Sequence, residues 1–200
     1  MSRSERCFNA LLGMSVLSWA FLGLLATDEP SVTPVRLAIT ALHLCVGGLI
    51  LFRGPLQEGG SIASCWASLP SLLIAGLAIR SAPLFHQWPL PSELLFLCGT
   101  MLALFGFISL GRSFAVLPAL RSTVVRGPFR VIRHPAYLGE LLMVVACCTA
   151  APSWPALAVL AVAVPFCVLR IAAEERLLMS SPDYARYADR VRWRLIPQLW

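Results

Sequence analysis

Six apolar segments, several about as long as a bilayer is thick, constrain the fold of this chain more than any other feature. They cover residues 8–26, 36–52, 66–85, 92–111, 137–151 and 154–171. A helix needs about 20 residues to cross the hydrocarbon core of a membrane, and the backbone there must satisfy its own hydrogen bonds. The pattern therefore predicts an all-α, polytopic integral membrane bundle of about six transmembrane helices. Charged residues make up only 13% of the chain, about half the share in soluble domains, which agrees.

The fifth and sixth segments are short, and only the sequence PSWP at 152–155 joins them. Such a link predicts an antiparallel helical hairpin. Fourteen of the sixteen arginines fall on one side of the predicted membrane, with Arg36 and Arg80 as the exceptions. Because positively charged loops mark the cytoplasmic side, this distribution predicts that both termini lie in the cytoplasm.

The positive charge of the chain does not indicate a nucleic-acid-binding protein. The net charge is +6 and every basic residue is arginine, but these arginines lie in the segments between helices. The charge thus indicates membrane topology rather than a nucleic-acid partner.

The seven cysteines show no CxxC and no spacing with histidine typical of a metal site. We therefore expect neither a disulfide framework nor a bound metal.

Candidate chemistry is concentrated in a basic loop before the fifth apolar segment. Five arginines and no acid lie between Arg112 and Arg133, and the loop closes on the sequence RHPAYLG at 133–139. Proline suits the first turn of a helix, so His134 is predicted to stand at the N-terminus of the fifth helix. Such an end attracts anions, and Tyr137 lies on the same helical face. An interfacial His with a Tyr anchor is the alternative reading.

Charged residues at the end of the sixth segment form the second candidate group. Arg170 stands one turn before Glu174 and Glu175, where charge near the membrane is costly and often functional, although a surface ion pair is the alternative. If the last two helices form a hairpin, Arg170 and Glu174 should lie beside His134 and Tyr137. Glu140, one turn into the fifth helix, could form the floor of a pocket or pair with an arginine of the loop.

Three stretches resemble the isoprenylcysteine carboxyl methyltransferase family of integral-membrane methyltransferases. They are GPFRVIRHPAYLG at 127–139, RIAAEERLL at 170–178 and YARY at 184–187, so the likeness covers about the last 90 residues. The resemblance implies an S-adenosylmethionine site on the cytoplasmic side. It divides the single membrane domain, residues 1–200, into four N-terminal spans at 1–111 and a methyltransferase-like core at 112–200.

The resemblance also implies roles for individual residues. Cofactor contacts would come from the loop around 121–124, from an aromatic residue five positions before the histidine, from the His-Pro-x-Tyr segment and from the first glutamate of the pair. In this sequence they correspond to Arg121, Val124, Phe129, His134, Pro135, Ala136, Tyr137 and Glu174. Phe129 stands where the lipid-modifying members have tyrosine. Arg170 corresponds to a substrate contact and is the candidate catalytic clamp for an anionic acceptor, with Glu140 as a further candidate in the substrate pocket.

The expected partners are membrane lipids and a lipophilic or lipid-modified acceptor. We expect a carboxylate to be the methylated group, and the oligomeric state is left open. A thiol or phospholipid-amine methyltransferase is an alternative, and the amine version would need Glu140 or Glu175 as a base. A second alternative is an NADPH-dependent reductase similar to the sterol reductases, in which the basic loop would meet the 2′-phosphate. A third is a membrane scaffold or small transporter without enzymatic activity.

Overall fold

The computed structural model describes residues 3–25, 32–54, 58–59, 62–117 and 119–200. Its helices are α1 (Arg3–Leu25), α2 (Pro34–Phe52), α3 (Ile62–Ser81), α4 (Leu90–Leu110), α5 (Pro135–Ala150), α6 (Trp154–Leu178) and α7 (Pro182–Arg190). Two short strands, β1 (Glu58–Gly59) and β2 (Ala119–Leu120), pair antiparallel. The prediction of an all-α membrane bundle is confirmed.

Each of the six predicted segments overlaps a helix. The predicted end of the first, at 26, lies outside the described residues, and α3 ends at Ser81 rather than at 85. Within the described residues, four stretches are long and apolar enough to cross a membrane, namely Glu5–Leu25, Pro34–Phe52, Leu90–Ser113 and Trp154–Leu178. Shorter apolar stretches lie in α3, at Leu69–Ser81, and in α5, at Pro135–Ala150. The predicted hairpin is present, because only three residues, 151–153, separate α5 from α6. The helix α6 continues to Leu178, beyond the predicted end at 171, because its charged last turns find partners inside the protein.

The close packing of α4 against α5 depends on two glycines. A Cβ on Gly139 would stand 2.5 Å from the carbonyl oxygen of Gly99, and a Cβ on Gly99 would stand 2.7 Å from the carbonyl oxygen of Gly139. Small residues let membrane helices approach to backbone contact, where van der Waals packing holds them together. This crossing fixes the N-terminal turn of α5, and with it His134 and Tyr137, against α4.

Glycines also allow α1 and α2 to pack closely. A Cβ added to Gly13 would stand 2.7 Å from the side chain of Leu51, and a Cβ added to Gly47 would stand 2.8 Å from the side chain of Leu17. At the other end of α1, Arg36 is buried and donates from Nε to the carbonyl oxygen of Gly23 at 3.0 Å. Its guanidinium thereby satisfies carbonyl groups that the end of a helix leaves without partners.

At one end of the bundle, the ends of α2 and α4 meet the loop that precedes α5. The Gly54 amide donates to the carbonyl oxygen of Arg112 at 2.8 Å, and the guanidinium of Arg121 donates to the carbonyl oxygen of Gly54. The pairing of β1 with β2 also joins the connection that follows α2 to the loop that precedes α5. We call this region, formed by residues 53–54, 111–117, 119–134 and 174–200, the basic end.

Residues 191–200 fold back along the start of α5, and we call them the C-terminal strap. The amide of Arg133 donates to the carbonyl oxygen of Trp193, and the amide of His134 to that of Arg194, both at 2.9 Å. Trp200 in turn accepts at its carbonyl oxygen from the amide of Arg194 at 2.9 Å. The strap therefore holds the loop before α5 in place by backbone hydrogen bonds.

Candidate functional site

A cavity of about 460 Å³ opens at the basic end and continues between the helices. All ten residues that the sequence singled out for a site line it: Arg121, Val124, Phe129, His134, Pro135, Ala136, Tyr137, Glu140, Arg170 and Glu174. They come from the loop before α5, from the first turns of α5 and from the last turns of α6. The two helix ends therefore meet in one pocket, as the sequence predicted. The roles assigned to the individual residues stay predictions.

His134 stands directly before α5, and Pro135 occupies the first helical position. The imidazole is buried, and its Nε2 lies 3.1 Å from Oε1 of Glu175. Its ring stacks on Tyr137, with centroids 5.5 Å apart and planes 9° from parallel. The orientation of this imidazole is thus set by one carboxylate and one aromatic face.

Tyr137 and Glu174 join α5 to α6 directly. The Tyr137 hydroxyl donates to Oε2 of Glu174. Glu174 has no other hydrogen-bond or ion-pair partner among the residues that the structure describes. Since it also lines the cavity, its carboxylate keeps acceptor capacity for a cationic or hydroxyl-bearing ligand.

Arg170 is buried on α6, and its guanidinium stands 4.5 Å from the centroid of the Tyr137 ring. Nη1 donates to Oγ of Ser71 at 3.1 Å and to Oε2 of Glu140 at 3.2 Å, and Nη2 donates to the carbonyl oxygen of Val116 at 3.1 Å. A guanidinium carries five N–H donors. Two are therefore unused among the described residues, including the buried Nε.

Glu140 lines the cavity, which is one of the two places that the sequence left open, and its role in substrate binding stays a prediction. The alternative of an ion pair with a loop arginine is wrong. Its partner is Arg170 of α6, because Glu140 points from α5 across the helical hairpin. The surface ion pair considered for Arg170 and Glu174 is likewise not formed, since each of these groups bonds to a residue of α5.

Glu175, which the sequence suggested only as a possible base for an amine acceptor, has a structural role that sequence reasoning missed. Its carboxylate is buried, with His134 at 3.1 Å, Arg133 Nε at 3.2 Å and Arg194 Nε at 2.7 Å. The Tyr184 hydroxyl also reaches Oε1 at 3.5 Å. Glu175 therefore connects α6, the start of α5, α7 and the C-terminal strap. The RxxxEE pattern drew attention to it, but nothing in the sequence identifies its partners.

Phe129 lies in a short 3-10 turn, and its ring is buried against Val124 and the tyrosines of α7. The Tyr187 hydroxyl donates to the carbonyl oxygen of Phe129 at 2.8 Å. Burial raises the pKa of Tyr187, so this phenol stays protonated and keeps its donor at all physiological pH values. The helix α7 thereby fixes the aromatic wall of the cavity.

Arg121 stands where the cavity meets a second groove, which lies between residues 121–125 and α7. Burial lowers the pKa of Arg121, and the neighbouring Arg53 lowers it further. An anion bound where the cavity meets the groove would reduce the repulsion between Arg121 and Arg53. Within the described part of the chain, no cluster of His, Cys, Asp or Glu side chains has the arrangement needed to hold a metal ion.

Two polar residues of the N-terminal helices also belong to the cavity or its wall, and no sequence signal placed them there. Ser71 of α3 bonds to Arg170, and His43 of α2 lines the cavity directly. In the sequence, His43 is only a polar residue inside the second apolar segment, 36–52. Their contacts with the site depend on packing between distant helices.

Comparison with known protein families gives a match to part of the chain. Residues 91–182 match the phospholipid methyltransferase family, a stretch that begins in α4 and ends at the start of α7. All ten predicted site residues lie inside it, whereas α1, α2, α3 and the C-terminal strap lie outside. Comparison with curated proteins gives no match. Together with the apolar helices, the family match supports an integral membrane methyltransferase, and it leaves the acceptor substrate undetermined.

Proposed function

We propose that this protein is an S-adenosylmethionine-dependent methyltransferase that acts within the membrane on a lipophilic acceptor, with a carboxylate as the methylated group. The observation that carries the proposal is a single cavity that joins the Tyr137–Glu174 pair to apolar space between the helices. Its volume falls in the range of about 300–1,000 Å³ that small-molecule sites occupy.

The polar end of the cavity offers the groups that S-adenosylmethionine requires. Glu174 has a carboxylate oxygen without a partner among the described residues, suited to an ammonium or a ribose hydroxyl. Arg121 and the backbone N–H groups at the start of α5 suit a carboxylate. Phe129 provides an aromatic face for adenine or for the cationic sulfonium. The bound cofactor would supply an electrophilic methyl group.

The free N–H donors of Arg170 are evidence that the methyl acceptor is an anion. Arg170 lines the cavity with two N–H donors unused among the described residues. One of them, at Nε, is buried, and an unsatisfied buried donor costs about 1–3 kcal/mol. A carboxylate accepting both donors would relieve that cost and be held in one orientation. Because a carboxylate is already a nucleophile, methyl transfer to it needs no base, and catalysis would come from positioning and exclusion of water.

A phospholipid-amine methyltransferase is the second candidate, and the description of the matched family favours it. An amine must lose a proton before or during methyl transfer. Glu140 lies in the cavity and is the carboxylate best placed to accept it. Its ion pair with Arg170, at 3.2 Å, holds this carboxylate in place at the cavity wall.

The proposal is tested with purified protein in lipid nanodiscs. Saturable binding of S-adenosylmethionine is expected, and Glu174→Ala should weaken it by about 1–3 kcal/mol, the cost of one charge-assisted contact. Preference for NADPH would support the reductase alternative and overturn the proposal. Failure to bind any adenosine cofactor would favour a scaffold or transporter.

Transfer of a labelled methyl group then separates the two acceptors. An S-prenylated N-acetylcysteine provides the carboxylate and phosphatidylethanolamine provides the amine. Arg170→Lys keeps the charge but loses the planar donor geometry, so it should leave cofactor affinity unchanged and lower turnover on the carboxylate. Methylation of phosphatidylethanolamine alone, lost in Glu140→Gln, would instead establish the amine reaction.

A further inference from the structure

The cavity has an apolar extension that the cofactor end does not explain. We call it the deep arm, and it is lined by Val16, Ile39, Val46, Ala75, Ile79 and Phe96, with His43 among them. The helices α1, α2 and α3 supply most of this wall, and they lie outside the stretch that matches the methyltransferase family. The deep arm is thus a feature of this chain's own N-terminal helices.

The depth of the arm can be gauged along α4, where both Phe96 and Leu110 line the cavity. Fourteen residues separate them, which corresponds to about 21 Å of helix at 1.5 Å per residue. One leaflet contributes about 15 Å of hydrocarbon, half of a 30 Å core. The cavity is therefore long enough for an extended lipid chain whose reacting head lies at the basic end.

His43 is the polar side chain of the deep arm. It sits nine residues before the end of α2 at Phe52, about 14 Å along the helix. Its Nδ1 lies 2.9 Å from the carbonyl oxygen of Ile39, one turn earlier. Among the described residues, Nε2 has no hydrogen-bond partner, although the imidazole lines the cavity.

The hydrogen bond at Nδ1 determines what Nε2 can do. A carbonyl oxygen only accepts, so Nδ1 must carry the proton that it donates. In a neutral imidazole the other nitrogen is then an acceptor. His43 thus presents one hydrogen-bond acceptor to whatever fills the deep arm.

We propose that the deep arm binds the chain of a lipid acceptor and that His43 selects a chain carrying a hydroxyl group, whose O–H it accepts at Nε2. This inference rests on the proposed function for the position of the reacting head. A purely hydrocarbon chain would leave Nε2 without a donor, at the cost of an unsatisfied polar group. Hydroxylated and unsubstituted chains should therefore be distinguished by one residue.

The test measures displacement of labelled hexadecanoic acid from the full chain in nanodiscs. The competitors are hydroxyhexadecanoic acids with the hydroxyl at successive positions. We expect at least one positional isomer to bind about threefold to tenfold more tightly than the unsubstituted acid, the gain typical of a hydrogen bond in a membrane protein. His43→Phe should remove that preference, and His43→Gln, which retains an acceptor, should keep part of it.

Leu44→Ala is the matched control, because Leu44 is the next residue on α2 but is exposed on the outside of the bundle. It should leave the preference unchanged. Equal affinity for all isomers, or a preference that survives in His43→Phe, would overturn the inference. S-adenosylmethionine binding is measured on the same samples. A cofactor that binds without chain selectivity leaves the proposed function standing, and selectivity without cofactor binding leaves the role of His43 standing.

Discussion

Replacing Glu175 by glutamine is the perturbation whose effect the structure specifies most fully. Glu175→Gln keeps the size of the side chain and removes its charge. The guanidinium of Arg133 and the imidazole of His134 are both buried beside that carboxylate, and Arg194 reaches it from the C-terminal strap. In the variant, the buried Arg133 has no compensating anion within reach of its Nε.

The size of the effect follows from the burial of the cluster. Removing one partner of a buried ion pair costs about 3–5 kcal/mol, because a charge is left without compensation in a poorly solvated place. For a chain of 150–250 residues, each kcal/mol lowers the melting temperature by about 2–4 °C. Glu175→Gln should therefore lower the apparent melting temperature by roughly 6–20 °C.

Tryptophan fluorescence is a direct assay, since two of the chain's tryptophans, Trp193 and Trp200, lie in the strap that Glu175 holds. The matched control is Asp183→Asn, the same change of carboxylate to amide in an ion pair whose side chains are more than 70% exposed. An exposed pair contributes about 0–1 kcal/mol, so the control should melt close to the native protein. Equal melting temperatures for Glu175→Gln and Asp183→Asn would refute the reasoning.

Three further predictions concern packing within the bundle and around the site. Gly139→Ala should destabilise the protein by about 1–3 kcal/mol in a denaturant titration, since its Cβ meets backbone atoms, whereas Gly48→Ala, with open space around its Cβ, should be neutral or slightly stabilising. Arg36→Ala should cost about 1–3 kcal/mol by uncapping α1, and the exposed Arg80→Ala should change the melting temperature little. Tyr187→Phe should cost about 1 kcal/mol by losing one buried hydrogen bond, and an unchanged stability would contradict its role in holding the aromatic wall.

The helices of this fold could be predicted from the sequence because the membrane imposes a length and a composition on each of them. The end of α6 could not be predicted in this way, because the apolar residues end near 171 while the helix continues to Leu178. In the sequence, Glu174 and Glu175 simply follow the end of the sixth apolar segment. They remain helical because Tyr137, His134 and Arg194 supply partners from other elements.

Some contacts of the candidate site could likewise be predicted from the sequence, and others could not. The hairpin argument brought Arg170 and Glu174 next to Tyr137, because a short link between two helices dictates which ends meet. The partners of Glu175 come from the C-terminal strap, whose fold depends on backbone bonds to Arg133 and His134 rather than on any local pattern. The place of His43 in the cavity likewise depends on how α2 packs against α4, which spacing along the chain does not encode.

The central claim is that the ends of α5 and α6 build one site for a methyl donor, and a calorimetric titration of the purified protein with S-adenosylmethionine tests it most directly. The account predicts saturable binding that exceeds the affinity for NADPH and that Tyr137→Phe and Glu174→Gln each weaken by at least several-fold. Undiminished binding in both variants, or no heat of binding in the folded native protein, would contradict it.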